Sequence, residues 1–285
     1  MDRTEKKDLS LINCIATSVL AYLLTVPVHE FFHLATFYLY GIKCEWFTAG
    51  SVQELGTVDY SVFSPFHRVM VAGGSASILN FFIGMALFFL LLNLEMGATA
   101  RLLLTQVMGG QMAEGFGYFL FGGMIKIGDW GNVFAEFKDA PGFVMVFRII
   151  LIVLGSCGIV FTFFALNYMS YYFISDPSDR GERFYVAFRI SLLTFLASIL
   201  MSILAVLPSP MIASGDVSFV ETLLWDMALI VFFWGFMFTW VMVKHPKESR
   251  GKYPLPKDPN YLLWILAIAL ALFDILVLGP GIKLN

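Results

Sequence analysis

His29-Glu30-Phe31-Phe32-His33 lies inside an apolar run that extends from about residue 9 to residue 40. On a helix, side chains four positions apart project from one face, so the two histidines can bind the same metal ion. Glu30 is next to the first histidine and can reach a water molecule bound to that ion. The stretch therefore predicts a zinc hydrolase site within a membrane helix.

The composition independently indicates a membrane protein. Of the 285 residues, 59% are apolar and 14% are charged, whereas about 25% of residues are charged in soluble domains. The mean hydropathy is +0.79. The net charge of −3 indicates no nucleic-acid partner. The three cysteines match neither a disulfide framework nor a metal-binding CxxC spacing.

Seven apolar stretches are long enough to cross about 30 Å of hydrocarbon. The third is the least apolar, because Gln106, Gln111 and Glu114 interrupt it. Between the first and second stretches, apolar and polar residues alternate over 42–47 and 57–63, which predicts a short β-hairpin. We therefore expect an all-α polytopic membrane protein with a short β-hairpin between helices 1 and 2. The seven stretches are residues 10–40, 68–93, 101–123, 143–174, 184–207, 219–243 and 260–279.

Lysines and arginines cluster on alternate loops, and twelve of the eighteen fall on the side that carries the amino terminus. Positively charged loops mark the cytoplasmic side of a membrane protein. We therefore expect an integral protein of the cell membrane with a cytoplasmic amino terminus. We divide the chain into a catalytic transmembrane core, residues 1–142, and supporting transmembrane helices, residues 143–285. The sequence leaves the oligomeric state open.

The location of the motif favours a functional site over a chance match. An ionisable group inside a transmembrane helix costs about 2.5 to 3.5 kcal/mol on insertion scales and by default marks a functional site. In the structural alternative, the histidines hydrogen-bond neighbouring helices and Glu30 pairs with a buried cation. The middle of the second and third stretches contains no lysine or arginine to supply that cation. The metal site is the better interpretation.

A catalytic zinc ion needs a third protein ligand and one open position for water. Asp129 follows the third stretch, which ends on the same predicted side of the membrane as the first. This position makes Asp129 the leading candidate. Glu114 within the third stretch and Asp139 and His67 in loops compete with it. For Glu114, a hydrogen bond to a neighbouring membrane helix is the better interpretation.

The residues around this motif resemble the site-2 protease family of intramembrane zinc metalloproteases. The stretch Ala72-Gly73-Gly74-Ser75-Ala76-Ser77-Ile78-Leu79-Asn80 is similar to the family's Ala-Gly-Pro-x-x-Asn entry to the helix after the motif, with Gly74 in place of proline. The nearest equivalent of the family's Leu-Asp-Gly context for the third zinc ligand is Gly128-Asp129-Trp130-Gly131. The resemblance covers roughly residues 10–135.

The resemblance implies hydrolysis of peptide bonds in or near transmembrane segments of other proteins, within the lipid bilayer. It implies Zn²⁺ held by His29, His33 and Asp129, with Glu30 as the base that takes a proton from the zinc-bound water. It also assigns Asn80 to substrate binding, for which a helix-packing role is the alternative.

Two other functions fit the sequence. A catalytically inactive relative would bind a membrane client without cleaving it, although the intact motif argues against this. A metal-transporting helix bundle would place further ionisable groups along several helices. The fourth to seventh stretches offer only Asp226 and Asp274, with Glu221 at an entrance.

Overall fold

The computed structural model describes residues 9–126, 128–210, 253, 255 and 258–284. The described part of the chain is mostly helical and contains a small three-stranded sheet. Within the described residues, five helical segments are long and apolar enough to cross a membrane. They are Leu11–Leu39, Pro65–Asn93, Pro141–Tyr171, Arg180–Ala205 and Tyr261–Leu278.

The expectation of seven spans is therefore met only in part. The predicted third span, residues 101–123, forms a helix but is not among the five segments, consistent with the polar residues that interrupt it. The predicted sixth span, residues 219–243, lies outside the described residues. The division of the chain at residue 142 stays a prediction.

Ten helices and three strands make up the described part of the chain. Two of the helices run on from short π-helical turns, at Met70–Gly74 and Phe188–Leu192, and a third such turn, Asp274–Leu278, follows the last helix. The helices are α1 Leu9–Leu23, α2 Val26–Leu39, α3 Pro65–Val69, α4 Ser75–Asn93, α5 Ala98–Ile125, α6 Gly128–Glu136, α7 Pro141–Tyr171, α8 Arg180–Ala187, α9 Leu193–Val206 and α10 Tyr261–Phe273. The strands are β1 Cys44–Phe47, β2 Val52–Glu54 and β3 Ile282–Lys283.

The first apolar stretch is not one continuous helix. It breaks at Leu24 and Thr25, so that α1 ends before the break and α2 begins after it. Pro27 occupies the first turn of α2, a position where its missing N–H costs no helical hydrogen bond. The break therefore leaves backbone carbonyls at this level free to accept other partners.

The hairpin prediction is right for its first strand and wrong for its second. β1 pairs antiparallel with β2, at Val52–Glu54 rather than at 57–63. Residues Tyr60–Val62 instead form a 3₁₀ turn, because the Asp59 side chain accepts a hydrogen bond from the Ser61 N–H and caps it. The other side of β1 pairs with β3, so the strand order is β2-β1-β3.

The main core forms where α4, α6 and α7 pack around α5. Met108, Met112 and Leu166 are fully buried there. α5 has glycines at the contacts, and a Cβ at Gly115 would lie 2.7 Å from the backbone nitrogen of Phe81 on α4. Small residues let membrane helices approach this closely. On the same two helices, the Gln111 side chain of α5 lies within hydrogen-bond distance of Asn80 on α4.

The outward faces of the apolar helices expose large hydrophobic side chains. An exposed apolar surface of this extent marks a contact with lipid or protein. These faces support a membrane location. Those of α7 and α10 include Val146, Ile149, Val153, Val160, Leu262, Ile265 and Ile268.

Candidate metal centre

The motif lies on α2 directly after the helix break. His29, Glu30 and His33 are all buried, with 2%, 8% and 8% of their surface exposed. The backbone N–H of His29 donates to the Thr25 carbonyl, and this bond joins the first turn of α2 to the break. Because the two histidines are four residues apart, their imidazoles meet on one face of the helix, with ring centroids 4.9 Å apart.

Asp129 reaches this face from the first turn of α6. α5 ends at Ile125, Lys126 follows it in a left-handed conformation, and α6 starts at Gly128. The Trp130 indole is buried against Phe119, and its N–H donates to the Ser77 hydroxyl at 3.1 Å. These contacts hold α6 against the start of α4.

Gly73 supports the Asp129 backbone from the other side. Its φ is +143°, a region that residues with a Cβ rarely adopt. A Cβ built there would lie 2.6 Å from the Asp129 carbonyl oxygen. A glycine is therefore required at this position for the π-helical turn to touch the aspartate's backbone.

Three ligand atoms converge at the centre. Asp129 Oδ2 lies 3.1 Å from His29 Nε2 and 3.2 Å from His33 Nε2, and the two Nε2 atoms are 3.3 Å apart. Ligand atoms about 2.0–2.1 Å from a tetrahedral zinc ion are ~3.3–3.4 Å apart, by the geometry of such sites. The three distances match the edges of that tetrahedron.

Asp129 Oδ2 is buried, and among the described residues no donor forms a hydrogen bond with it. Its close neighbours are the two imidazole nitrogens. A buried carboxylate oxygen left in this state is costly, and a cation between it and the two imidazoles would satisfy it. The group His29, His33 and Asp129 could therefore hold a metal ion.

The His29 ring is held on two further sides. Its Nδ1 is 3.1 Å from Asn80 Oδ1 on α4. Its face stacks on the Tyr118 ring of α5, with centroids 4.8 Å apart and planes at 23°. Asn80 is fully buried and is not among the residues that line the cavity beside the metal group.

A cavity of about 540 Å³ opens beside the three ligands. Glu30, His33 and Asp129 are among its lining residues, so Glu30 borders the same space as the candidate metal position. The sheet forms one wall through β2, and α6 forms the other. Further lining residues are Gly50, Ser51, Val52, Glu54, Tyr60, Gly73, Tyr118, Asn132 and Glu136.

Asp129 and Glu54 both line this cavity, lie outside the membrane-spanning segments and have shifted pKa values. Burial opposes ionisation of Asp129, but the imidazoles of His33 and His29 outweigh it and hold the pKa of its carboxyl below the ordinary value. Burial, with the negative charge of Glu136 across the cavity, raises the pKa of Glu54. Asp129 is thus ready to act as an anionic ligand, whereas the cavity mouth disfavours an additional negative charge.

Of the four candidates for the third ligand, the structure brings Asp129 to the histidines. Glu114, Asp139 and His67 do not join the group, and Asp139 and His67 are exposed. His67 instead lies against the ring of Tyr40, with centroids 5.3 Å apart. Asp139 follows α6, on the loop to α7.

Sequence reasoning did not connect two side chains of α5 with His29 and Asn80. Gln111 hydrogen-bonds Asn80, and Tyr118 stacks on His29. Residues 111, 114 and 118 of α5 are three and four positions apart, so they lie on one face of the helix. This run of polar side chains in an apolar helix was the available signal.

Comparison with protein-family models, with curated proteins and with solved structures finds no match to this chain.

Proposed function

We propose that this chain is an intramembrane zinc metalloprotease, related in its site to the site-2 protease family, that hydrolyses peptide bonds in or near transmembrane segments of other proteins. One observation carries the proposal. Two imidazoles and a carboxylate meet at metal-binding distances on a membrane-helix segment, beside a cavity that also receives the carboxylate of Glu30.

The residues divide the work between binding and proton transfer. His29, His33 and Asp129 would hold zinc, which when bound lowers the pKa of a water ligand to about 7 and polarises a carbonyl. Glu30 is oriented by α2 into the same cavity, where it can accept a proton from the attacking water and donate it to the leaving amine. Its position next to His29 in sequence ties the base to the ligands through one rigid helix.

The wall formed by β2 suits an extended substrate. A peptide bond within a helix is shielded, so a transmembrane substrate has to unwind before attack. β2 is an edge strand of the three-stranded sheet and lines the cavity opposite α6. Backbone groups at a sheet edge can pair with an added strand. A segment paired along β2 would pass close to the ligands.

Glu30→Gln tests the proposal directly. We expect the variant to retain as much bound zinc as the wild type, because its ligands are intact, while new protein amino termini generated in membranes that contain the wild type disappear. Asp129→Ala should lose both zinc and cleavage. Glu114→Gln is the matched control, since it also neutralises a carboxyl near the site, and it should keep both.

The outcomes separate the alternatives. A wild-type protein that contains zinc but generates no new amino termini would indicate the inactive client-binding relative. Zinc transport into vesicles that survives Glu30→Gln would indicate the metal-transporting bundle. Cleavage by Glu30→Gln at the wild-type rate would remove Glu30 from the mechanism.

We also propose that the protein lies in the cell membrane with its amino terminus in the cytoplasm. The distribution of basic residues supports this orientation, since twelve of the eighteen fall on that side in the predicted seven-span arrangement. Membrane-impermeant labelling of a cysteine placed near the amino terminus, in intact and in opened cells, tests it. Labelling in intact cells would reverse the orientation.

A further inference from the structure

We propose that Asn80 and Gln111 form a hydrogen-bond relay that fixes the protonation pattern of the His29 ring, leaving Nε2 as its metal-binding nitrogen. The inference rests on metal binding by His29 in the proposed function. It makes Asn80 and Gln111 positioning residues, a role different from the substrate contact that the sequence suggested for Asn80.

The relay has a direction because it ends on a backbone carbonyl. The Leu24 carbonyl can only accept, so Gln111 must present its Nε2 group there, and the two atoms are 2.7 Å apart. The Gln111 Oε1 atom then faces Asn80 and accepts from its Nδ2 at 2.9 Å.

Asn80 extends the same donor and acceptor order to the imidazole of His29. With Nδ2 committed to Gln111, Asn80 turns its Oδ1 atom toward His29 Nδ1, 3.1 Å away. An amide oxygen cannot donate, so Nδ1 must carry the proton. Nε2 is then left with a lone pair, and it is the nitrogen 3.1 Å from Asp129 Oδ2. Outer hydrogen bonds of this kind set the tautomer and orientation of metal-binding histidines.

Burial fixes the orientation of both amides. Asn80 and Gln111 are 0% and 1% exposed, so water does not compete for their amides. Reversing either amide would place two acceptors or two donors in contact, which is costly in a buried network. The stack of Tyr118 on the ring face then limits rotation of His29.

The helix break supplies the end of the relay. Leu24 lies between α1 and α2, where its carbonyl is available to a side chain from α5. α5 comes close because Gly110, adjacent to Gln111, leaves room for Thr25. A Cβ at Gly110 would lie 2.5 Å from the Thr25 hydroxyl oxygen.

Zinc affinity of purified variants tests the relay, measured by competition with a chromogenic chelator. We expect Asn80→Leu and Gln111→Leu to bind zinc about 10- to 100-fold more weakly than the wild type, the usual effect of removing such partners. Asn80→Asp keeps an acceptor toward Nδ1 and should bind zinc more tightly than Asn80→Leu. Gln106→Leu is the matched control.

Gln106 is on the same helix, is as buried as Gln111 and also forms two side-chain hydrogen bonds, both donated, to Ser18 and Thr194 and away from the metal group. Its replacement should lower stability without changing zinc affinity. A folding defect alone would therefore affect Gln106→Leu and Gln111→Leu alike. Equal zinc affinity of Gln111→Leu, Asn80→Leu and the wild type would overturn the relay.

Nitrogen-15 NMR of the zinc-loaded protein, with His29 assigned by its loss in His29→Gln, gives a second readout. We expect zinc on Nε2 and a slowly exchanging Nδ1–H that exchanges faster in Gln111→Leu. Zinc on Nδ1 in the wild type would refute the relay and leave the protease proposal standing. If the wild type binds zinc but cleaves nothing, and the relay variants bind zinc more weakly than it does, the relay stands and the protease proposal is refuted. A wild type that binds no zinc would refute both proposals.

Discussion

Replacing Gly73 with alanine should damage both the stability of the protein and its metal centre. The φ of +143° strains any residue that has a Cβ, and strain of this kind costs about 1 to 3 kcal/mol. The new Cβ would also lie 2.6 Å from the Asp129 carbonyl oxygen and 2.8 Å from its Cα. Forced shifts in a packed core cost about 1 to 3 kcal/mol more. We expect a total loss of roughly 2 to 6 kcal/mol.

Two other glycines distinguish backbone strain from the steric clash as causes of the lost stability. Gly41 has a φ of +72° but nothing within 4 Å of a built Cβ, so Gly41→Ala carries backbone strain alone, about 1 to 2 kcal/mol. Gly142 has neither a positive φ nor a neighbour within 4 Å. Gly142→Ala should be neutral or stabilise by about 0.4 to 1 kcal/mol.

The assay combines the unfolding temperature of the purified protein in detergent with its zinc content. Gly73→Ala should unfold at the lowest temperature of the three, because it alone combines strain with a clash. It alone should also lose zinc, because the new Cβ displaces the Asp129 backbone and so moves Asp129 Oδ2 away from the two imidazoles. If Gly73→Ala matched Gly41→Ala in stability and kept its zinc, the packing of the π-helical turn on Asp129 would be wrong.

Three further changes probe the surroundings of the site. Trp130→Phe removes the hydrogen bond to the Ser77 hydroxyl and should cost about 1 to 2 kcal/mol in thermal unfolding, with zinc content unchanged because the Gly73 contact remains. Burial and the charge of Glu136 raise the pKa of Glu54 above its ordinary 4.5. Folding therefore favours the neutral form of Glu54. This stabilisation is fully present below pH 4.5 and is lost as the pH rises through the folded pKa. Glu54→Gln should therefore unfold at a higher temperature than wild type at about pH 8 and at the same temperature at about pH 4; a gain confined to acid would contradict this. Arg101 lies 4.6 Å from each of two tyrosine ring centroids and donates to two backbone carbonyls, so Arg101→Lys should lower stability by about 1 to 3 kcal/mol, and an unchanged unfolding temperature would mean that the stacked guanidinium contributes nothing.

The face of α2 that carries His29 and His33 could be predicted because its geometry is local. The spacing of His29 and His33 places both imidazoles on one face whatever surrounds the helix. Asp129 was found by a weaker argument, from the side on which its segment was predicted to end. That argument left Glu114, Asp139 and His67 open, because only the packed structure decides which of several acidic or basic side chains reaches the histidines.

The remaining features depend on contacts between distant parts of the chain. β3 is two residues long and pairs with β1 from near the opposite end of the sequence, and a two-residue strand has no alternation to recognise. The second strand of the hairpin was misplaced because Asp59 forms a local cap that competes with strand formation. The contact between Asn80 and Gln111 joins two helices whose relative register no sequence pattern specifies.

The polar groups around His29 also bear on the choice between a hydrolase and a transporter. On one side of the metal group, the cavity beside His33 and Asp129 is lined by Glu54 and Glu136. On the other side, the described residues form a closed relay in which the amides of Asn80 and Gln111 end on the Leu24 carbonyl. A transported ion needs polar groups leading away from its site in two directions, whereas a hydrolase needs one opening through which both substrate and water arrive. Partners that are already paired with one another cannot pass an ion onward, so within the described part of the chain this architecture favours holding a metal in place.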